Sequence, residues 1–200
     1  MTISVTIILI GITCVISLIA LYGNEKIYEL GMLRPYRTVR KNSWYEVISS
    51  GFLHGSLAHL LVNMFVLFFF GSVMEQVLGV YHFLALYISG LAVSSIPSFL
   101  FHRDNPSYAT LGASGAVEAV LFSYIFVFPT EKLILLLLPI PIPAWLFGAA
   151  FLAYSIYEGQ KGSMKINHEA HIAGAIWGIL YLLFFVPNSI DHILTILGLL

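Results

Sequence analysis

The chain has 200 residues, of which 59% are hydrophobic and only 10% charged, with a net charge of -1. A mean hydropathy of +0.92 excludes an ordinary soluble globule. The balanced charge and the lack of any polybasic run exclude nucleic acid as a partner, so the sequence reads as an all-α integral membrane protein embedded in a lipid bilayer.

A helix needs about 20 apolar residues to cross the hydrocarbon core. That ruler predicts six transmembrane helices near 2–22, 58–78, 80–101, 112–128, 143–158 and 168–186, in a single membrane domain over 1–200. The first has no charged leader and no cleavage site, so it reads as a retained span; it holds the single cysteine, Cys14, expected as a packed thiol. The first loop, 23–57, carries most of the charge, including Arg34, Arg37, Arg40 and Glu46, and its length predicts structure of its own. Before the fifth span, "LPIPIPAW" places Pro139, Pro141 and Pro143 where a helix interior cannot hold them. Residues 133–142 are therefore expected to be extended or re-entrant, with Pro143 in the first helical turn. The final "NSIDHILTILGLL" is too short to cross and is expected at the interface or against the bundle.

The polar side chains within these spans are costly in hydrocarbon and need partners. They are His59, Asn63 and Glu75 in the second, Ser114 and Glu118 in the fourth, and His168, Glu169 and His171 in the sixth. Spans two, four and six start from the same side, so His59, Ser114 and His171 fall at a similar depth, on the order of 5 Å below that face at 1.5 Å per residue. His59 and Asn63, four apart, share a helix face. Ser114 near a helix start lies in a positive potential that favours an anion. His171 is a base able to take its proton, and His59 and Asn63 are placed to donate to an oxyanion. Asp104 and Asp191 fall outside the spans, so a hydrolase built here works with a dyad. A lone serine in a small-residue helix otherwise serves close packing, and Gly112, Gly115, Gly174 and Gly178 read as packing notches in any case.

The stretches "GFLHGSLAHLLVNMFVLFFFG" (51–71), "GASGA" (112–116) and "AHIAGAIWG" (170–178), in this order, resemble the rhomboid family of intramembrane serine proteases. The resemblance implies a six-helix bundle with a long structured first loop, and an acyl-enzyme endopeptidase acting on single-span transmembrane protein substrates without a cofactor or metal. It implies Ser114 as nucleophile and His171 as general base. His59, Asn63 and the Ser114 N–H become the oxyanion site, Gly112 part of the tight approach to the serine, His54 an ordering residue of the first loop, and Glu75 a structural glutamate. Residues 159–167 correspond to a mobile cap whose two glycines suit a hinge.

The chain departs from the family pattern twice. Trp44 lacks the arginine that often follows it, which puts the anchoring of the first loop in question. Glu118 stands one turn below Ser114, where relatives carry an aromatic or small residue; ionised and facing His171, it would weaken that histidine as a neutral base. Eight Lys and Arg in the odd loops against Lys132 alone on the other side would turn the active face to the cytoplasm. Bacterial members open the other way, and the family reading predicts a bacterial inner or plasma membrane with the site facing its extracytoplasmic side.

Other classes fit less well. A non-catalytic rhomboid-like protein binding transmembrane clients would typically lack the serine or the histidine. A transporter would place its polar groups near the midplane. His168 and His171 are three apart, against the spacing of a zinc protease helix. His168 and Glu169 are expected to be solvated interfacial groups.

Overall fold

The computed structural model describes residues 4–135, 138–160, 167–196 and 198–199. Helix α1, Val5–Tyr22, turns Thr6, Leu9, Thr13, Ser17 and Ala20 inward. Its branched residues, among them Ile8, Ile12, Val15 and Ile19, face outward. A water-soluble helix has the opposite arrangement; in lipid the bulky apolar side faces the solvent and small polar residues make the protein contact.

Residues 23–56 hold three short helices, α2 (Lys26–Gly31), α3 (Pro35–Lys41) and α4 (Glu46–Ser49), and a 3-10 turn at Ser50–Phe52. They gather on Glu46, which is fully buried. Its carboxylate accepts from the Arg34 N–H at 3.0 Å, Thr38 Oγ1 at 2.8 Å, Arg37 Nε at 2.8 Å and Ser43 Oγ. Burial by itself favours the neutral acid, but the hydrogen bonds from Ser43, the Arg34 backbone, Thr38 and Arg37 outweigh it and hold this carboxyl below the usual range. Trp44 stacks on Phe99 with ring centroids 5.5 Å apart.

A continuous helical stretch of 46 residues, Leu57–His102, comes next. It consists of α5 (Leu57–Val66), a π-helical turn (Leu67–Gly71) and α6 (Ser72–His102). Gly79 interrupts α6 with φ 75° and ψ 161°, a conformation that glycine adopts without the penalty a Cβ brings. The break falls between the expected spans 58–78 and 80–101. At the head of α6, Glu75 caps α1, accepting from Ser4 Oγ at 2.6 Å, the Val5 N–H at 2.8 Å and Thr6 Oγ1 at 2.7 Å.

Helix α7, Ser114–Val127, is buried on every side from Gly115 to Ser123, which marks it as the centre of the bundle. It starts two residues later than the expected 112, because Gly112 holds φ 121° and cannot belong to a helix. Lys132–Leu135 (β1) and Leu138–Pro143 (β2) then pair antiparallel. Pro143 ends β2 instead of opening the next helix, so that expectation is corrected: its backbone is committed to the hairpin, opposite Lys132. Helices α8 (Ala144–Gln160), α9 (His168–Phe185) and α10 (Ser189–Ile196) complete the described chain. The last lies against the bundle through His192 Nε2 and the Val127 carbonyl, 2.9 Å apart. Among the described residues, three helical stretches, Val5–Tyr22, Leu57–His102 and His168–Phe185, are long and apolar enough to cross a membrane.

The core lies where α5, α6, α7 and α9 meet. Leu60, Met64, Phe83, Leu86, Tyr87, Ala116, Ala119 and Val120 form one continuous cluster, with Tyr181 closing it from α9.

Candidate active site

The site is built on the contact between α7 and α9. A Cβ on Gly174 would run into the Gly115 carbonyl, and one on Gly178 into the Ala119 carbonyl, so the two backbones touch at two points about one turn apart. At the upper end of this contact a Cβ on Gly115 would stand 3.5 Å from the Ala170 carbonyl. Gly115 follows Ser114 and Ala170 precedes His171, so both candidate dyad residues stand at the same end of the helix pair, and both are half-buried.

Ser114 is the first residue of α7, which puts its N–H at the positive end of the helix dipole. The turn before it is set by Gly112, whose N–H donates to the Ser50 carbonyl at 3.0 Å. A Cβ on Gly112 would lie 2.8 Å from His59 Cε1 and 3.0 Å from its Nε2. The imidazole of His59 therefore rests against the approach to Ser114, and any side chain at 112 would displace it. Asn63 is buried and donates from Nδ2 to the His59 carbonyl at 2.9 Å, leaving its second N–H to point elsewhere. On α9, the ring of His171 stacks on Phe151 of α8, 6.2 Å away and inclined by 22°.

His54 is fully buried beside His59, ring centroids 4.8 Å apart. Its Nδ1 shares a hydrogen bond of 2.9 Å with Ser17 Oγ, and its carbonyl accepts from the Tyr28 hydroxyl at 2.8 Å. Burial, together with the charge that His59 would carry, pushes its pKa down to about 3, so His54 is a neutral post between α1 and the first loop. Glu118 is buried, and its Oε2 has no partner among the described residues.

His168 corrects another expectation. It is 4% exposed, not solvated, because the end of α8 covers the first turn of α9: Tyr154 stands 5.9 Å and His171 6.1 Å from its ring. Glu169, one residue on, is exposed. Of the cap expected over 159–167, positions 161–166 lie outside the described residues.

The sequence reading missed Asn167. Its Oδ1 accepts from the Ala170 N–H at 3.0 Å and caps α9, while Nδ2 donates to Ser98 Oγ at 3.1 Å and the Tyr108 hydroxyl at 3.0 Å. An asparagine directly before an apolar helix is itself a capping signal.

A family profile described as Rhomboid domain matches residues 41–188. The chain belongs to the rhomboid family. It is 38% identical over 141 residues to presenilin-associated rhomboid-like protein A, mitochondrial, of Danio rerio, an alignment covering 68% of this chain and 36% of that one. It is 32% identical over 162 residues to rhomboid protein 1, mitochondrial, of Saccharomyces cerevisiae, covering 74% and 45%. With RHOMBOID-like protein 12, mitochondrial, of Arabidopsis thaliana, it shares 32% over 146 residues, covering 66% and 43%. The chain thus spans less than half the length of these relatives. They also overturn the placement in a bacterial plasma membrane with an extracytoplasmic site, since each carries a mitochondrial name.

Proposed function

We propose that this rhomboid-family chain is an intramembrane serine endopeptidase that cleaves single-span transmembrane proteins with a Ser114–His171 dyad. The observation that carries the reading is the side-chain-free contact of Gly115 with Gly174, which draws the helices bearing the two residues to backbone distance. Ser114 Oγ attacks the scissile carbonyl carbon as His171 takes its proton. The oxyanion is met by the Ser114 N–H, His59 and Asn63. His171 then returns the proton to the leaving amine as the C–N bond breaks, and water hydrolyses the resulting ester by the same route. No cofactor enters these steps.

Six crossings suit this reading. The Leu57–His102 stretch is about twice the length one crossing needs and breaks at Gly79, α7 is a shorter apolar helix, and α8 lies between it and α9 in the chain. The relatives' names support a mitochondrial membrane as the setting.

The test is cleavage of single-span substrates by purified protein in detergent, comparing wild type with Ser114→Ala and His171→Ala. Loss of cleavage in both variants, with folding retained, is the expected result. Binding of such substrates by a folded wild type that never cuts them would favour a client-binding role instead.

A further inference from the structure

His171 lies in the first turn of α9, and Ser114 opens α7; the Gly115–Gly174 contact ties the helices below that level but leaves the first turn of α9 to be held from elsewhere. Asn167 is placed to hold it. Its carbonyl receives the His171 N–H at 3.3 Å, and its Oδ1 receives that of Ala170 at 3.0 Å. Its Nδ2 reaches across to Ser98 of α6 and to Tyr108, whose hydroxyls are themselves 3.2 Å apart. Tyr108 belongs to the segment that leads to Ser114. Two residues beyond it, Thr110 pairs with Leu33 of the first loop through bonds of 3.0 and 2.9 Å, and Gly112 is tied to Ser50. Ser114 and His171 therefore hang from one hydrogen-bonded seam, and Asn167 is the side chain that joins its two halves.

We infer that Asn167 is a positioning residue for the dyad: its side-chain amide bridges the first turn of α9 to Ser98 and Tyr108 and so sets where His171 stands relative to Ser114. The inference rests on the proposed dyad for its catalytic consequence, but the bridge itself is a matter of geometry. An error of the order of 1 Å at a reacting group costs up to about 100-fold in rate.

Two substitutions separate the bridge from the cap. Asn167→Ser keeps a good capping oxygen but is too short to reach the hydroxyls. Asn167→Asp keeps the cap and offers Ser98 and Tyr108 an acceptor toward which both hydroxyls can turn. With a single-span substrate in detergent, Asn167→Ser is expected to lower kcat about 10- to 100-fold with KM within about twofold, and Asn167→Asp to restore most of the rate. Tyr108→Phe combined with Ser98→Ala and Thr110→Val, which removes all three hydroxyls that the amide reaches, should reproduce the Asn167→Ser defect with Asn167 intact. Wild-type kcat in Asn167→Ser, or a loss that follows only the folded fraction in a thermal melt, would overturn the inference.

A second readout needs no chemistry. Spin labels on the exposed positions Ser107 and Glu169, in a Cys14→Ala background, report the distance across the seam. It should broaden in Asn167→Ser and recover in Asn167→Asp. An unchanged distribution would overturn the bridge even in a chain that cleaves nothing, whereas an inactive wild type with the expected broadening would count against the proposed function alone.

Discussion

Gly174 of α9 meets the carbonyl of Gly115 of α7 with no room for a methyl group between them. The obstacle is backbone, so no rotamer change relieves it. Gly174→Ala is expected to destabilise the protein by about 1–3 kcal/mol, the usual cost of overpacking, and to reduce the proposed cleavage further than the lost stability explains, because it pushes His171 from Ser114. Gly11→Ala is the control: a Cβ there meets nothing within 4 Å. Melting temperatures and initial rates of the two variants, side by side, check the prediction.

Glu118 leaves Oε2 buried without a partner among the described residues, at the centre of the bundle. An unpaired buried acceptor costs about 1–3 kcal/mol, whereas an apolar side chain of similar size there costs nothing comparable. Glu118→Met should therefore raise the melting temperature in detergent. A lower melting temperature would mean that the carboxyl holds a partner such as a buried water.

His54 makes stability depend on pH. Its folded pKa, about 3, lies below the ordinary histidine value of 6.5. As pH falls through 6.5, the unfolded chain takes up a proton that the folded chain refuses, so this contribution is whole above 6.5 and is lost progressively toward 3. The slope approaches about 1.4 kcal/mol per pH unit for one proton. Unfolding free energies measured between pH 7.5 and 5 should fall less steeply in His54→Gln than in the wild type.

Glu46 is the knot of the first loop, and removing it takes the acceptor from the Arg34 N–H and the ion-pair partner from Arg37, whose guanidinium keeps the Glu29 and Leu30 carbonyls. Arg37 is 23% exposed, so the cost falls below the about 3–5 kcal/mol of a fully buried pair broken from one side. Glu46→Ala should thus loosen the loop selectively, and trypsin should cut at Arg37, Arg40 or Lys41 much faster than in wild type, the Arg34–Pro35 bond being closed to it in both. Equal cutting rates would show that the loop is held by its contacts with α6 instead.

How much of this was legible in the sequence differs from residue to residue. Apolar run lengths, and the polar interruptions between them, marked where helices lie, because hydrocarbon tolerates only internally bonded backbone. The spacing of His59 and Asn63 on one face followed from helical periodicity alone. Glu46 was different: it stood among charged neighbours in a loop and gave no sign that it would be the most enclosed of them. Its burial depends on Ser43, Thr38, Arg37 and the Arg34 backbone arriving together, which is a property of the folded loop. His168 likewise reads as an interfacial group until the end of α8 is packed over it.

By itself the sequence determined the membrane character of the chain, the approximate extent of its helices and the family to which it belongs, because run length, composition and local motifs are one-dimensional quantities. Only the tertiary structure decided that Gly112 lies outside α7 with His59 against it, and that Pro143 closes a hairpin. It also decided that Asn167 joins α9 to Ser98 and Tyr108, partners 69 and 59 positions away. The physical reason is the same in each case: these features are contacts between distant segments, and the side chains that make them carry no local signal of what they will meet.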